Sequence, residues 1–333
     1  MENIKKSKIV VLGGGTGTFT TLSGLKVHDV DLTAVVSIAD DGGSTGRLRD
    51  ELGVLPPGDI RQCLVALASG DDALRHLFNY RFSEGSLDGH HFGNLFLSAL
   101  EKIYGNPIQA ISAAHRVLNV RGKVIPVSAQ SSNLFAELED GTVVEGEHAI
   151  DVKDNQRAKI RECFLDPVVI ANPEALDAIR EADAIILAPG DLYTSLIPVL
   201  LVQGVAEAIS ECKGPVIYVL NLVAKPGQTD GYTAQKFIEK LKTYISPAKV
   251  DVAIVNSAEI PEAVLVRYTK VGEHIIKDDL NGECKVYRED VLAEKIARPI
   301  AGDRLERSLL RHDSAKLAKV IINIIKSFGT LRG

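Results

Sequence analysis

The residues best suited to bind a ligand form a glycine-rich run, GGGTGT, at residues 13–18. The segment before it, residues 8–12 (KIVVL), is apolar and β-branched, which is typical of a buried parallel strand. Residues 19–25 then have the pattern of a helix whose first N–H groups face the turn. Because glycine has no Cβ, the backbone can turn sharply there and approach a bound group closely. Such a turn at a helix N-terminus predicts a site for a nucleotide or another phosphate.

The glycine run matches the known nucleotide fingerprints only in part. A P-loop carries Lys and then Ser or Thr after its last glycine, but Phe19 follows Thr18 here, so a P-loop NTPase is not indicated. The dinucleotide fingerprint GxGxxG is met at Gly13 and Gly15, whereas Thr18 occupies its last position. The alternative is a turn that only packs the helix on the strand. A second polar loop at a suitable distance favours ligand binding.

This second loop, residues 39–47 (ADDGGSTGR), follows an apolar run at residues 32–38. Asp40 lies about 20 residues after the glycine turn, where an acidic side chain can accept hydrogen bonds from ribose hydroxyls. Alternatively, Asp40 and Asp41 could hold Mg²⁺ together with waters and a phosphate. Arg47 could pair with a phosphate or a carboxylate. A solvated turn in which an aspartate caps the next helix is the simpler interpretation of the same residues.

Three later strands also end in polar loops. The predicted strands are residues 184–187, 216–220 and 252–255, and each is followed by a loop rich in Gly, Asn, Asp, Ser or Thr. The carboxyl ends of parallel strands lie along one edge of a sheet, and ligands bind there where the strand order reverses. Five such loops, counting the first two, predict one shared site.

The elements that must position these loops alternate between strand and helix, which predicts an α/β fold. Residues 59–69 have helical spacing after a Pro-Pro-Gly break, and Asp59 is predicted to cap that helix. Residues 120–165 instead have the pattern of short strands and turns, which predicts a β-rich insert. A last amphipathic helix, capped by Asp313, is predicted to dock on the sheet.

Length, charge and cysteine content limit the class of protein. The 333 residues, of which 45% are hydrophobic, fit one large α/β domain, residues 1–333, that carries the insert. A net charge of −6 without a basic block does not indicate a nucleic-acid partner. The four cysteines lie far apart, which argues against a zinc site and favours a reduced cytoplasmic setting. No signal peptide or membrane-inserting run is visible. The sequence is compatible with a homo-oligomer.

Six motifs together resemble the gluconeogenesis factor family, the YvcK-like proteins, which is itself similar to 2-phospho-L-lactate transferase, an enzyme that makes a deazaflavin coenzyme. In chain order the motifs are GGGTG (13–17), ADDGGS (39–44), PGDIR (57–61), HFGNL (91–95), PGDLYTS (189–195) and GQTDGY (227–232). The resemblance covers nearly the whole chain. It implies a Rossmann-like three-layer fold with a mainly parallel sheet. It also implies binding of a UDP-sugar such as UDP-N-acetylglucosamine, or of an NAD-like dinucleotide, and a role in bacterial cell shape and central carbon balance.

The resemblance carries over to particular residues. The first two glycine-rich loops match the nucleotide-facing loops of the family, and Arg311 with its two following residues resembles a late motif of the uridine-sugar site. Family members often have Ser where Asp191 stands, and a carboxylate there opposes a phosphate unless a cation lies between them. The full set of predicted ligand-binding residues is Gly14, Gly15, Thr16, Gly17, Asp40, Asp41, Gly42, Gly43, Ser44, Arg47, Asn94, Gly190, Asp191, Thr194, Ser195, Asn221, Asn256 and Arg311.

The sequence is consistent with two functions. The first is a regulator that binds a sugar nucleotide or NAD, requires no further cofactor, has no catalytic residue, and links gluconeogenic growth to cell shape and cell-wall synthesis. The second is a phosphotransferase that uses Mg²⁺ held by Asp40 and Asp41. A transferase needs a second pocket for a large flat acceptor. Only 5% of the residues are aromatic and none is Trp, so no aromatic cluster promises such a pocket, which favours the regulator.

Overall fold

The computed structural model describes residues 6–70, 72–152, 156–270, 272–294 and 309–330. The strands in these ranges are β1 (Ser7–Gly13), β2 (Val30–Val36), β3 (Lys123–Pro126), β4 (Asn133–Leu138), β5 (Val143–Glu145), β6 (Ile160–Asp166), β7 (Ala184–Leu187), β8 (Val216–Val219), β9 (Val223–Ala224), β10 (Val252–Asn256), β11 (His274–Ile275) and β12 (Lys285–Glu289).

The helices begin directly after the glycine turn and alternate with the strands. They are α1 (Gly15–Leu25), α2 (Gly43–Leu52), α3 (Pro57–Leu67), α4 (Asp72–Asn79), α5 (Phe92–Tyr104), α6 (Pro107–Leu118), α7 (Glu147–Asp151), α8 (Pro173–Arg180), α9 (Ile197–Leu200), α10 (Val205–Glu211), α11 (Ala234–Ile245), α12 (Glu262–Lys270) and α13 (Ser314–Thr330). A 3₁₀ turn at Gly85–Leu87 and a π-helical turn at Leu192–Leu196 complete the described elements. None of these helices is long and apolar enough to cross a membrane.

The main sheet has seven described strands in the order β12-β10-β8-β7-β1-β2-β3, and every neighbouring pair is parallel. From β1 the chain adds β2 and β3 on one side, and from β7 it adds β8, β10 and β12 on the other. The strand order therefore reverses between β1 and β7. The predicted α/β class with a mainly parallel sheet is confirmed.

Strand β1 shows why the sequences of the central strands are continuously apolar. Ile9 and Val11 pack into the core on one face of the sheet, together with residues of α1, α3 and α13. Val10 and Leu12 pack into the core on the other face, which includes residues of the insert and of α8 to α11. Because both faces are covered, the positions of β1 from Ile9 onward need no polar side chain.

The segment predicted to form the insert divides into two parts. Strand β3 pairs in parallel with β2 and forms the edge of the main sheet. A separate antiparallel sheet, in the order β5-β4-β6, begins only at Asn133. In β4 the buried residues alternate, with Leu134, Ala136 and Leu138 facing the body of the protein, as expected for a sheet covered on one face.

The two capping predictions have different outcomes. Asp313 does cap the last helix, because its Oδ1 accepts hydrogen bonds from the backbone N–H groups of Ala315 (2.9 Å) and Lys316 (2.8 Å). The prediction that Asp59 caps its helix is wrong. Helix α3 already begins at Pro57, whose fixed φ suits the first helical position, so Asp59 lies within the first turn.

Candidate functional site

The glycine turn between β1 and α1 lies at the point where the strand order reverses. Gly15 has a left-handed backbone (φ +65°), and its N–H donates to Asp59 Oδ1 at 2.8 Å. Gly17 packs against the loop that follows β7, so closely that a Cβ on it would lie 1.1 Å from the carbonyl oxygen of Pro189. The turn after β1 and the loop after β7 are therefore in direct backbone contact, which only glycine at position 17 allows.

The loop after β7 brings further predicted residues to the turn. The Gly190 carbonyl accepts a hydrogen bond from Asn221 Nδ2 at 2.6 Å, which ties this loop to the end of β8. A Cβ on Gly190 would lie 3.7 Å from the Gly14 carbonyl oxygen. A Cβ on Gly15 would lie 3.7 Å from Ser195 Oγ. The structure thus places Gly14, Gly15, Gly190, Ser195 and Asn221 together.

Two carboxylates, the half-buried Asp40 and the buried Asp59, lie beside the turn. Asp40 Oδ1 accepts a hydrogen bond from the Gly42 N–H at 3.0 Å, and a Cβ on Gly58 would lie 2.2 Å from Asp40 Oδ2. Burial raises the pKa of Asp40, although its hydrogen bonds oppose this effect. Burial and then the charge of Asp40 raise the pKa of Asp59 to about 7. The two carboxylates are therefore close enough to disfavour each other's ionisation.

Helix α7 of the insert lies across this edge of the sheet. Asp41 Oδ1 accepts a hydrogen bond from the His148 N–H at 2.7 Å, so the loop after β2 holds the start of α7. Burial, followed by the negative charges of Asp40 and Asp151, raises the pKa of Glu147 well above its usual value. The insert therefore adds a carboxyl group to the acidic cluster beside the glycine turn.

Lys225 connects the insert to the loop after β7. Its Nζ contacts the carboxylate of Asp151 and lies 2.8 Å from Asp191 Oδ2. Burial lowers the pKa of Lys225, but the charges of Asp191 and Asp151 raise it by more, so the pKa lies above its usual value. Asp151 also accepts hydrogen bonds from Gln228 Nε2 (3.0 Å) and Thr194 Oγ1 (3.5 Å). A lysine of the chain itself is thus the cation beside Asp191.

Other predicted residues support the site through hydrogen bonds within the protein. Asn94 donates through Nδ2 to Ser44 Oγ at 3.2 Å, and its Oδ1 accepts from Arg61 Nε at 2.9 Å. Ser44 Oγ also lies 3.0 Å from His90 Nδ1. Arg47 donates from its guanidinium to the Asp88 carbonyl at 2.8 Å. These contacts fix the start of α2 on α5 and on the loop before it.

The remaining predicted residues lie along the same edge. Thr16 and Gly43 are in the first turns of α1 and α2. Asn256 ends β10, and its Oδ1 accepts hydrogen bonds from the N–H groups of Ala258 and Val291, both at 3.3 Å. The Arg311 carbonyl accepts a hydrogen bond from the Ala293 N–H at 2.9 Å, which places Arg311 beyond the carboxyl end of β12.

Four residues of the site were missing from the sequence prediction. Asp59 belongs to a quoted motif, but its position three residues after Pro56 suggested a helix cap. Lys225 lies two residues before another quoted motif, and this proximity is the signal that could have identified it. Glu147 and Asp151 lie in the insert, and no local pattern indicates that the insert folds over the carboxyl edge of the sheet.

The donor groups near the turn bear on Mg²⁺. Within the described ranges, no three His, Cys, Asp or Glu side chains are arranged to hold a metal by themselves. Mg²⁺, however, is usually bound by one or two carboxylates with waters and substrate phosphates. Asp40, Asp41 and Asp59 each accept one backbone N–H, from Gly42, His148 and Gly15. Asp40 and Asp59 lie beside the glycine turn and have the carboxylate oxygens that such a site requires.

Comparisons with known proteins agree with this fold. Residues 9–296 match the protein family described as 2-phospho-L-lactate transferase CofD. A Thermotoga maritima protein that carries the gluconeogenesis factor name is 46% identical, over 95% of this chain and 99% of its own. The gluconeogenesis factor of Bacillus subtilis is 40% identical, over 97% of this chain and 99% of its own. A crystal structure of a UPF0052 family member from Bacillus halodurans has a TM-score of 0.88 at 39% identity, covering 96% of this chain and 100% of that one.

Proposed function

This chain belongs to the gluconeogenesis factor family and carries the 2-phospho-L-lactate transferase CofD domain, and from that premise we propose that it is a cytoplasmic regulator that binds a sugar nucleotide. The ligand is a UDP-sugar such as UDP-N-acetylglucosamine, or an NAD-like dinucleotide. Its binding links gluconeogenic growth to cell shape and cell-wall synthesis. The regulator requires no further cofactor.

The observation that supports this function best is the position of the glycine turn. It stands between β1 and β7, where the strand order reverses, and α/β proteins bind nucleotides at this position. The crevice is the carboxyl edge of the sheet between β1 and β7. A ligand there would meet the Gly190 loop and the first turn of α1, in which the Gly15 N–H already donates to Asp59. A diphosphate there would be held by backbone dipoles, and the base and sugar would extend along the carboxyl edge of the sheet.

Calorimetric titration with UDP-N-acetylglucosamine, NAD and GTP, each in Mg²⁺ and in EDTA, tests the proposal. We expect saturable binding of UDP-N-acetylglucosamine or NAD in both buffers. Gly15→Ala places a methyl group at the phosphate-binding turn and should weaken that binding at least about tenfold, the equivalent of 1.4 kcal/mol. Gly105→Ala is the matched control, because Gly105 has a similar left-handed φ of +63° and ends α5 away from the turn. Equal affinities for the two variants would show that the turn only packs the helix.

A second function, a Mg²⁺-dependent phosphotransferase, is favoured by one specific observation. The carboxylates of Asp40 and Asp59 repel each other beside a turn suited to phosphate. A divalent cation would neutralise this negative charge. In that case Asp40 and Asp59 would hold Mg²⁺, which would neutralise charge on the transferred group. The backbone of the glycine turn would orient the phosphate, and Glu147 would close the site from the insert side.

Asp40→Asn separates the two functions, since the amide oxygen still accepts the Gly42 N–H while the charge is removed. For a regulator, we expect an affinity loss of about 1–2 kcal/mol, near the range for a charge-assisted hydrogen bond, and no Mg²⁺ dependence. For a transferase, the variant would lose turnover, and Mg²⁺ would strongly tighten nucleotide binding to the wild type. Asp31→Asn, at an exposed position of β2, controls for the change in net charge. Mg²⁺-dependent consumption of a nucleoside triphosphate or activated phosphodiester, lost in Asp40→Asn, would contradict the regulator.

A further inference from the structure

A cavity lies away from the glycine turn, between the insert sheet and helix α11. Its volume is about 490 Å³, which is within the range of small-molecule sites. The walls come from the loop before β6, the first residues of β6, the end of the loop that carries Lys225, and the first turns of α11. We call this cavity the α11 groove.

The α11 groove is lined mainly by charged side chains, and cations outnumber carboxylates. The cationic side chains are Lys159, Arg161, Lys236 and Lys240, and the carboxylates are Glu139 and Asp230. The lining therefore has a charge of about +2 on a protein whose net charge is −6. A cavity with this balance attracts a small anion rather than a neutral or cationic molecule.

The cations differ in how far the protein already neutralises them. Arg161 pairs with Glu137 at 2.5 Å, and Lys236 is 3.4 Å from Glu239. Lys240 has a carbonyl partner instead, because its Nζ donates to the Arg161 backbone oxygen at 2.9 Å. Burial and then the charge of Lys236 lower the pKa of Lys240, which shows that these two ammonium groups repel each other. An anion between them would relieve that repulsion.

The N-terminus of α11 does not provide the binding groups. Its first N–H groups are already used: Ala234 donates to the Lys277 carbonyl at 2.9 Å, and Gln235 donates to Asp279 Oδ1, also at 2.9 Å. The Lys236 N–H donates to the Thr233 hydroxyl at 3.4 Å. Recognition of an anion in the groove therefore depends on the lysine side chains, and these can be replaced without disturbing the helix cap.

Carboxylates in the groove indicate what the rest of the ligand carries. Asp230 Oδ2 accepts the Gly227 N–H at 2.7 Å, so this carboxylate is partly used by its own loop. Glu139 is exposed, and no hydrogen bond of its carboxylate is among those of the described residues. A carboxylate acts only as a hydrogen-bond acceptor at neutral pH, so it suits a hydroxyl group of the ligand.

We propose that the α11 groove binds a small phosphorylated sugar or polyol, with the phosphate held by Lys159, Lys236 and Lys240 and a hydroxyl donated to Glu139. The groove also contacts the main site through Tyr232. The Tyr232 hydroxyl lies 2.8 Å from the Tyr193 hydroxyl, and Tyr193 belongs to the π-helical turn that follows the Gly190 loop. A ligand in the groove would thus touch an element that shapes the nucleotide crevice.

Calorimetric titration of the full chain with glucose 6-phosphate, and with glucose as the uncharged match, tests this site. We expect glucose 6-phosphate to bind at millimolar concentration or below and glucose not to bind. The double variant Lys236→Gln/Lys240→Gln should weaken glucose 6-phosphate at least about tenfold, because charge-assisted contacts to the phosphate are lost. Lys242→Gln, on the same helix but outside the groove, should bind like the wild type.

Titration with UDP-N-acetylglucosamine distinguishes the α11 groove from the crevice at the glycine turn. The affinity of the double variant for this nucleotide should be within twofold of that of the wild type. Glucose 6-phosphate binding that persists in the double variant would place it elsewhere and overturn the proposal, as would no binding to the wild type. If the double variant does not fold, Lys159→Gln replaces it, because that side chain is exposed. The proposal for the crevice can fail in its own titration without affecting this result.

Discussion

Asp59 shows at the scale of single residues what the fold does to charges beside the glycine turn. An aspartate in water titrates near pH 4, but burial and the charge of Asp40 raise the pKa of Asp59 to about 7. Glu147 and Asp40 are shifted in the same direction, each chiefly by burial. The protein therefore holds unfavourable carboxylates at the crevice, which is common where a side chain serves binding or catalysis rather than stability.

This arrangement predicts how stability changes with pH. Because the pKa of Asp59 is higher in the folded state, the unfolded state loses its proton first as the pH rises from about 4 to about 7. The free energy of unfolding should then fall across this window, by at most about 1.4 kcal/mol per pH unit for one group. Asp59→Asn keeps an acceptor for the Gly15 N–H and removes the charge. The variant should be more stable than the wild type at pH 7.5 and show a shallower slope.

Urea unfolding at several pH values between 4.5 and 7.5 measures both quantities. Asp31→Asn serves as the control, since this side chain is exposed and its loss should not change the slope. Parallel stability curves for the wild type and Asp59→Asn would show that Asp59 ionises normally in the folded protein.

At the scale of elements, the sequence predicts the parts of the site that depend on one strand and its following loop. The turn after β1, the loops after β2 and β7, and the cap of α13 all follow from local patterns. The order of the strands does not, because it depends on which helices cover which face. The placement of α7 over the crevice also could not be predicted, since Asp41 and His148 meet across a separation of 107 residues.

Among the elements, α7 and the loop after β7 are held together by Lys225. Replacing it by Met would leave the carboxylates of Asp151 and Asp191 facing each other without a cation. Loss of one partner from a buried ion pair costs about 3–5 kcal/mol, and less where the partners are partly exposed, as they are here. We expect faster hydrogen exchange of the backbone amides of residues 147–151 in Lys225→Met.

Hydrogen exchange followed by mass spectrometry measures this effect by segment. Lys213→Met is the matched control, since Lys213 is exposed and its replacement should leave exchange in α7 unchanged. The amides of β1 should keep their protection in both variants. An unchanged exchange rate in residues 147–151 of Lys225→Met would mean that Lys225 does not hold α7 in place.

At the scale of the whole molecule, the first and last helices of the fold meet beneath the site. Gly24 of α1 packs against the start of α13, so closely that a Cβ would lie 1.9 Å from the Ser314 carbonyl oxygen. The apolar face of α13 completes the core that also contains Ile9 and Val11 of β1. The glycine turn, which joins β1 to α1, therefore depends on residues some 300 positions later in the chain.

Ile321 tests this dependence, because it is fully buried in that core. Ile321→Ala should lower the free energy of unfolding by about 2–5 kcal/mol, the usual cost of removing a large buried aliphatic side chain. Ile322→Ala removes the same atoms from the next, half-buried position of α13 and should cost clearly less. Both are measured by urea unfolding, together with nucleotide affinity under folding conditions. Since α13 supports the turn but forms no part of it, the affinity of folded Ile321→Ala should equal that of Ile322→Ala. Equal losses of stability in the two variants would contradict the docking of α13 through this face.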